Sequence, residues 1–165
     1  MKKLIVFSLL FISSFIQAQD FNTYLTDAKN AIESGNFRKA YDSSTKAIEL
    51  NSTNVDARQT RVKASLTTSA PKERLETAIT DLNYLISEEV DPALNYKLLG
   101  IAESELANFI YRFNRTIPDH EKLALSHYEN ALVAYNKAIA LVPLFAEDLK
   151  YRINVAQEKI TEIKS

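Results

Sequence analysis

Cysteine and tryptophan are absent from the 165 residues, glycine occurs twice and proline four times. Without cysteine there is no disulfide, no thiolate zinc site and no thiol chemistry. Two glycines exclude a glycine-rich phosphate loop, which needs two or three close together. They also provide too few tight turns for an all-β chain. Neither sign of charge dominates: 20 basic against 21 acidic residues leave a net charge of −1. That balance argues against nucleic acid as a partner. What is present is an ordinary globular mixture, 46% apolar and 25% charged, as expected of one domain.

The first eighteen residues read as an address. Lys2 and Lys3 make a basic start, and Leu4 to Ile16 is mostly apolar, broken by Ser8, Ser13 and Ser14. Gln17-Ala18 then places a small residue before Gln19-Asp20. Basic, apolar, small is the order of a secretory signal peptide. A membrane span takes about 20 apolar residues, more than this run supplies. The expectation is a bacterial-type exported protein, periplasmic or secreted, with no membrane insertion after cleavage at Ala18. No cysteine follows the cut, so a lipid-anchored lipoprotein is not expected.

Beyond Asp20 apolar residues recur at intervals of three and four, the period of an amphipathic helix. Tyr24, Ala28, Ala31 and Ile32 make one stripe, and Phe37, Ala40, Tyr41, Ala47 and Ile48 a second. No run of strict alternation is long enough for a strand. Pro71, Pro92, Pro118 and Pro143 fall where helices should start or stop. Asp91-Pro92 reads as an N-cap followed by proline at the first helical position. Gly35-Asn36 lies between two stripes and suits a left-handed helix ending.

The second stripe repeats. Phe37, Ala40, Tyr41, Ser44, Ala47 and Ile48 return 38 residues later as Leu75, Ala78, Ile79, Leu82, Leu85 and Ile86. They return 53 residues later again as Tyr128, Ala131, Leu132, Tyr135, Ala138 and Ile139. The order is large, small, large, then two closing apolar positions, with Ser44 the poorest match. Small or medium residues precede each copy: Ala28, Val62 and Gly100. Small residues let helix axes approach to about 8–10 Å. A helical hairpin of this kind still exposes an apolar face, so it must stack on the next.

On these residues the chain resembles the tetratricopeptide-repeat family, whose unit is a helix–turn–helix. The resemblance rests on Gly35-Asn36-Phe37-Arg38-Lys39-Ala40 and on Ala47-Ile48-Glu49-Leu50-Asn51. It also rests on Tyr128-Glu129-Asn130-Ala131 with Tyr135, and on Lys137-Ala138-Ile139-Ala140-Leu141-Val142-Pro143. Tyr96 to Gly100 matches a first helix. Ser52 replaces the usual closing proline, and Arg58 and Arg61 stand where the second unit packs large apolar groups. The resemblance implies an all-α, TPR-like α-solenoid of about three repeats with a C-terminal capping helix. Its divisions are 1–18 signal peptide, 19–54, 55–92 and 93–143 as repeats, and 144–165 as the cap. Register arithmetic places four added residues in the loop Thr67 to Lys72 and nineteen between Ala107 and Leu125. The latter stretch holds Phe109, Ile110, Tyr111, Phe113 and Ile117, too apolar for a linker. It reads as two elongated helices joined near Asn114 to Pro118.

Chemistry is scarce. His120 and His127 lie seven residues apart, about 10.5 Å along a helix, too far to share a metal comfortably, and read as surface histidines. Glu88-Glu89, and Glu103 with Glu105, read as solvated carboxylates rather than an acid/base pair. Asn51-Ser52-Thr53 and Asn114-Arg115-Thr116 match the N-x-[ST] pattern and receive little weight in a bacterial-type product. No enzyme, cofactor or metal is expected.

What remains is surface. In the family the first helices line a concave face. By the register this face carries Leu25, Lys29 and Ile32, then Gln59, Lys63 and Leu66, then Lys97, Ile101 and Ser104. Lys29, Lys63 and Lys97 form a candidate stripe for an acidic peptide. The family's carboxylate clamp is not carried over, because Leu25 and Lys29 stand where it has Lys and Asn. The function expected is a non-enzymatic protein- or peptide-binding scaffold in the bacterial envelope. The alternative is a structural or assembly subunit docking through the long third hairpin with Phe109 and Phe113.

Overall fold

A computed structural model describes residues 19–67, 70–113 and 118–165. Residues 1–18, where a signal peptide is expected, Thr68-Ser69 and Asn114 to Ile117 lie outside the described residues. Helix α1 covers 19–33. It is followed by α2 (Phe37–Leu50), α3 (Val55–Ser65), α4 (Lys72–Ser87), α5 (Pro92–Phe113), α6 (His120–Leu141) and α7 (Phe145–Lys164). No strand occurs among the described residues, so the chain is all-α.

The helix boundaries follow from local chemistry. Gly35 takes φ +72°, and Asn36 N–H returns to the Ala31 carbonyl at 2.8 Å. This satisfies the last carbonyls of α1. Asn36 then turns capper: its Oδ1 accepts from Lys39 N–H and starts α2. Pro92 opens α5, with Asp91 Oδ1 accepting from Leu94 N–H at 3.4 Å. Pro71 is the N-cap of α4 and Pro143 follows the end of α6. With so few glycines, three acidic residues also take positive φ: Glu89, Asp91 and Asp119. Each such residue costs roughly 1–2 kcal/mol against a right-handed conformation, a cost that packing elsewhere must offset.

The chain divides into two units, residues 1–64 and 65–165. In the first, Ala31, Ala40 and Ala64 draw α1, α2 and α3 together, with Ile32 and Tyr41 against them. A second cluster, Ala47, Ile48 and Ala57, is covered by Phe21, Tyr24 and Leu25. Arg58 and Arg61 do not interrupt this packing. The Arg58 guanidinium donates to the Ser52 carbonyl through Nε (3.1 Å) and a terminal nitrogen (2.6 Å). Arg61 donates to Thr45 Oγ1 at 3.4 Å. Arg58 thereby places its charge just past the C-terminus of α2, where the helix dipole favours a cation.

In the second unit α5 and α6 are 22 residues each. They run antiparallel: Gly100 near the start of α5 lies against Tyr135 near the end of α6, and Asn108 further along α5 against Tyr128 earlier on α6. Leu75, Leu106, Ala107, Ile110, Ala124, Tyr128 and Ala156 form its main core, drawn from α4, α5, α6 and α7. Ala131, Tyr135, Ala138 and Leu149 form a smaller one, with Ile153 against it. Polar fasteners hold α7: Tyr111 donates to Glu162 at 2.8 Å and Lys164 to Glu129 at 2.9 Å.

The repeated columns are columns of burial. Ala40, Ala78 and Ala131 are fully buried, as are Ser44, Leu82 and Tyr135, and Ala47, Leu85 and Ala138. Ser44 fits a buried column because its hydroxyl donates to the Ala40 carbonyl at 2.7 Å. Leu75 and Tyr128 are buried at the first position, whereas Phe37 is 39% exposed.

Burial raises the Tyr128 phenol from its ordinary 10.0 to about 12, with the Glu162 carboxylate adding to the effect. Above pH 10 the unfolded chain loses this proton while the fold retains it. The folded state then binds more protons, so stability falls as pH rises from 10 towards 12. Thermal melts across that window are expected to show the loss, and Tyr128→Phe to reduce it.

Candidate functional site

One concavity of the first unit lies between α1 and α3. Lys29, Ile32 and Glu33 stand at i, i+3 and i+4, which places them on one helix face. Asp56, Gln59, Thr60 and Lys63 do the same on α3. Ala28 and Ala31 on α1, with Ala57, Val62 and Ala64 on α3, are turned into the protein instead. Together the two faces enclose a cleft of about 370 Å³, near the lower end of small-ligand pockets, roughly 300–1,000 Å³.

The cleft is electrically balanced. Lys29 and Lys63 are matched by Glu33 and Asp56. Lys29 Nζ lies 2.7 Å from Asp56 Oδ2, with both side chains about half exposed (49% and 56%). Such a pair is worth roughly 0–1 kcal/mol, but it halves the cationic character of the wall. Thr60 directs its hydroxyl to the Asp56 carbonyl at 2.7 Å. The outward-facing donors are therefore Gln59 and the exposed Lys63, which forms no ion pair among the described residues.

The other expected site residues part company here. Leu25 packs against Ala47, Ile48 and Ala57 and contributes to the core of its unit. Lys97 and Ile101 belong to the second unit. Ile101 lies against Ala131, Tyr135, Ala138 and Leu149. Lys97 is paired with Asp148 and stands 4.7 Å from the centre of the Phe145 ring. Its hydrogen bond and charge hold the Asp148 carboxyl below the usual carboxylate range. Two lysines of the expected stripe thus carry carboxylates already. Phe109 is half-buried, Phe113 is 69% exposed, and their ring centres are 5.2 Å apart near the end of α5.

His127 is not a free surface histidine and Glu103 is not solvated: Nδ1 of His127 lies 2.6 Å from Glu103 Oε2, whose side chain is 9% exposed. The pair joins α5 to α6, and a separation of 24 residues gave no local signal of it. Glu105 instead reaches Arg152 of α7 at 3.4 Å. Among the described residues no group of three or more His, Cys, Asp or Glu is arranged to hold a metal. No described helix is long and apolar enough to cross a membrane. Set beside protein-family models, curated proteins and solved structures, the chain matches none of them.

Proposed function

We propose that the protein is an exported, TPR-like scaffold of the bacterial envelope that binds a polypeptide and performs no chemistry of its own. The observation that carries this reading is the α1–α3 cleft. Lys29, Gln59 and Lys63, expected from the register to face a binding surface, line one cavity. The buried alanine column at Ala40, Ala78 and Ala131 supports the repeat reading. Because the cleft holds two cations and two carboxylates, its ligand is an extended polar segment. A strongly acidic one has less to gain there than three unpaired lysines would offer.

A second reading rests on Phe113. A phenylalanine 69% exposed beside a second ring suits an apolar contact with another protein. On that reading the protein is an assembly subunit docked through the α5–α6 hairpin.

One experiment separates the two. A photo-reactive amino acid is placed at Gln59 in one version of the mature chain and at Phe109 in another, and adducts are collected in the envelope of the source cell. Lys63→Glu is expected to weaken capture at Gln59 by about 1 kcal/mol, roughly fivefold, with no change in melting temperature. Phe113→Ser is expected to leave that adduct alone. Unchanged Gln59 adducts in Lys63→Glu would remove the cleft reading. Loss of Phe109 adducts in Phe113→Ser, with the fold retained, would establish the hairpin instead.

A further inference from the structure

The α2–α3 turn carries a feature the binding reading does not use. Asn51, Ser52 and Thr53 are all exposed. Asn51 is the C-cap of α2 in extended conformation, φ −144° and ψ 90°. Asn54 N–H closes the turn on the Asn51 carbonyl at 3.2 Å. The Arg58 guanidinium grips the Ser52 carbonyl with two nitrogens, so the turn is pinned from α3. Within it the Thr53 hydroxyl donates to Asn51 Oδ1 at 3.2 Å. That bond occupies the amide oxygen and fixes the side-chain orientation. Nδ2 of Asn51 donates no hydrogen bond among the described residues.

An Asn-x-Thr turn in an exported protein is the acceptor pattern for N-linked sugar. Here the hydroxyl and the amide it must accompany are already in contact, on an exposed turn. The second match, Asn114-Arg115-Thr116, lies outside the described residues.

We propose that Asn51 is an N-glycosylation site. This rests on the export reading above. The donor is an oligosaccharide linked to a polyprenyl diphosphate. Nδ2 attacks the anomeric carbon, and the bond from that carbon to the diphosphate oxygen breaks. The polyprenyl diphosphate leaves with the electron pair, and one Nδ2 proton passes to a base of the transferase. No oxidation state changes.

The full chain, leader included, is produced in a bacterium that carries a polyprenyl-diphosphate-dependent oligosaccharyltransferase and its glycan. A reference acceptor peptide is fused at the C-terminus. Intact mass and peptide mapping are read on the periplasmic product. The expected result is one glycan mass on the peptide containing Asn51, abolished in Asn51→Gln and reduced at least tenfold in Thr53→Val. Thr53→Ser retains it. A leader-free chain bearing sugar on the reference peptide but none on Asn51 overturns the proposal and leaves export standing. A chain retained in the cytoplasm with its leader overturns both. Full occupancy in Thr53→Val refutes the role given to the Thr53 hydroxyl.

Discussion

Truncating Tyr128 to alanine is expected to lower the unfolding free energy by about 3–5 kcal/mol, the usual range for a large aromatic removed from a core. Its side chain is 1% exposed. It sits where four helices converge, against Leu75 of α4, Leu106, Ala107 and Ile110 of α5, and Ala156 of α7. Removing the ring empties the centre of that cluster. Helices of 22 residues cannot close around the gap without losing contacts elsewhere. Tyr128→Phe separates the ring from its hydroxyl, which donates to Asn108 Oδ1 at 2.7 Å. That change is expected to cost only about 0.5–1.5 kcal/mol, because Asn108 is half-buried and water can replace the lost donor. Urea denaturation of the mature chain checks both. A Tyr128→Ala loss under about 1 kcal/mol would mean that this cluster does not hold the second unit together.

Replacing Gly100 by alanine is expected to destabilise by about 1–3 kcal/mol, against the local rule. In an open helix the same change stabilises by about 1 kcal/mol. At Gly100 a Cβ would lie 2.4 Å from two carbons of the Tyr135 ring, closer than atoms can approach. The ring cannot swing aside, since Tyr135 is fully buried among Ala131, Ala138 and Leu149. The two helices must therefore separate or the ring must leave its rotamer. Tyr135→Leu in the same chain removes the obstruction, so the double variant is expected to be more stable than the two single losses added together. Strict additivity in that cycle would show that the close approach of α5 to α6 does not depend on the glycine.

Much of this is legible in the amino-acid sequence. Gly35-Asn36, Asp91-Pro92 and Pro143 mark boundaries through φ restrictions and capping atoms that act within a few residues. The columns at Ala40, Ala78 and Ala131 were readable because a helix returns each side chain to the same face every three or four residues. The long third hairpin followed from nineteen added residues too apolar to remain in water. Of the expected cleft, Lys29, Ile32, Gln59 and Lys63 do line one cavity. Leu25 and Ile101, set on the same face by the register, lie half-buried against hydrophobic clusters, since a position at the edge of a helix face is tipped inward or outward by its neighbours.

The amino-acid sequence by itself determined that the chain is helical, where most helices begin and end, and which side of each is buried. All of these depend on interactions a few residues long. The tertiary structure alone decided which charges remain available. Lys29 meets Asp56 27 residues away and Lys97 meets Asp148 51 residues away, while His127 crosses 24 residues to Glu103. The attraction between two charges falls with their separation in space, and that separation is set by how helices cross, which no local pattern records.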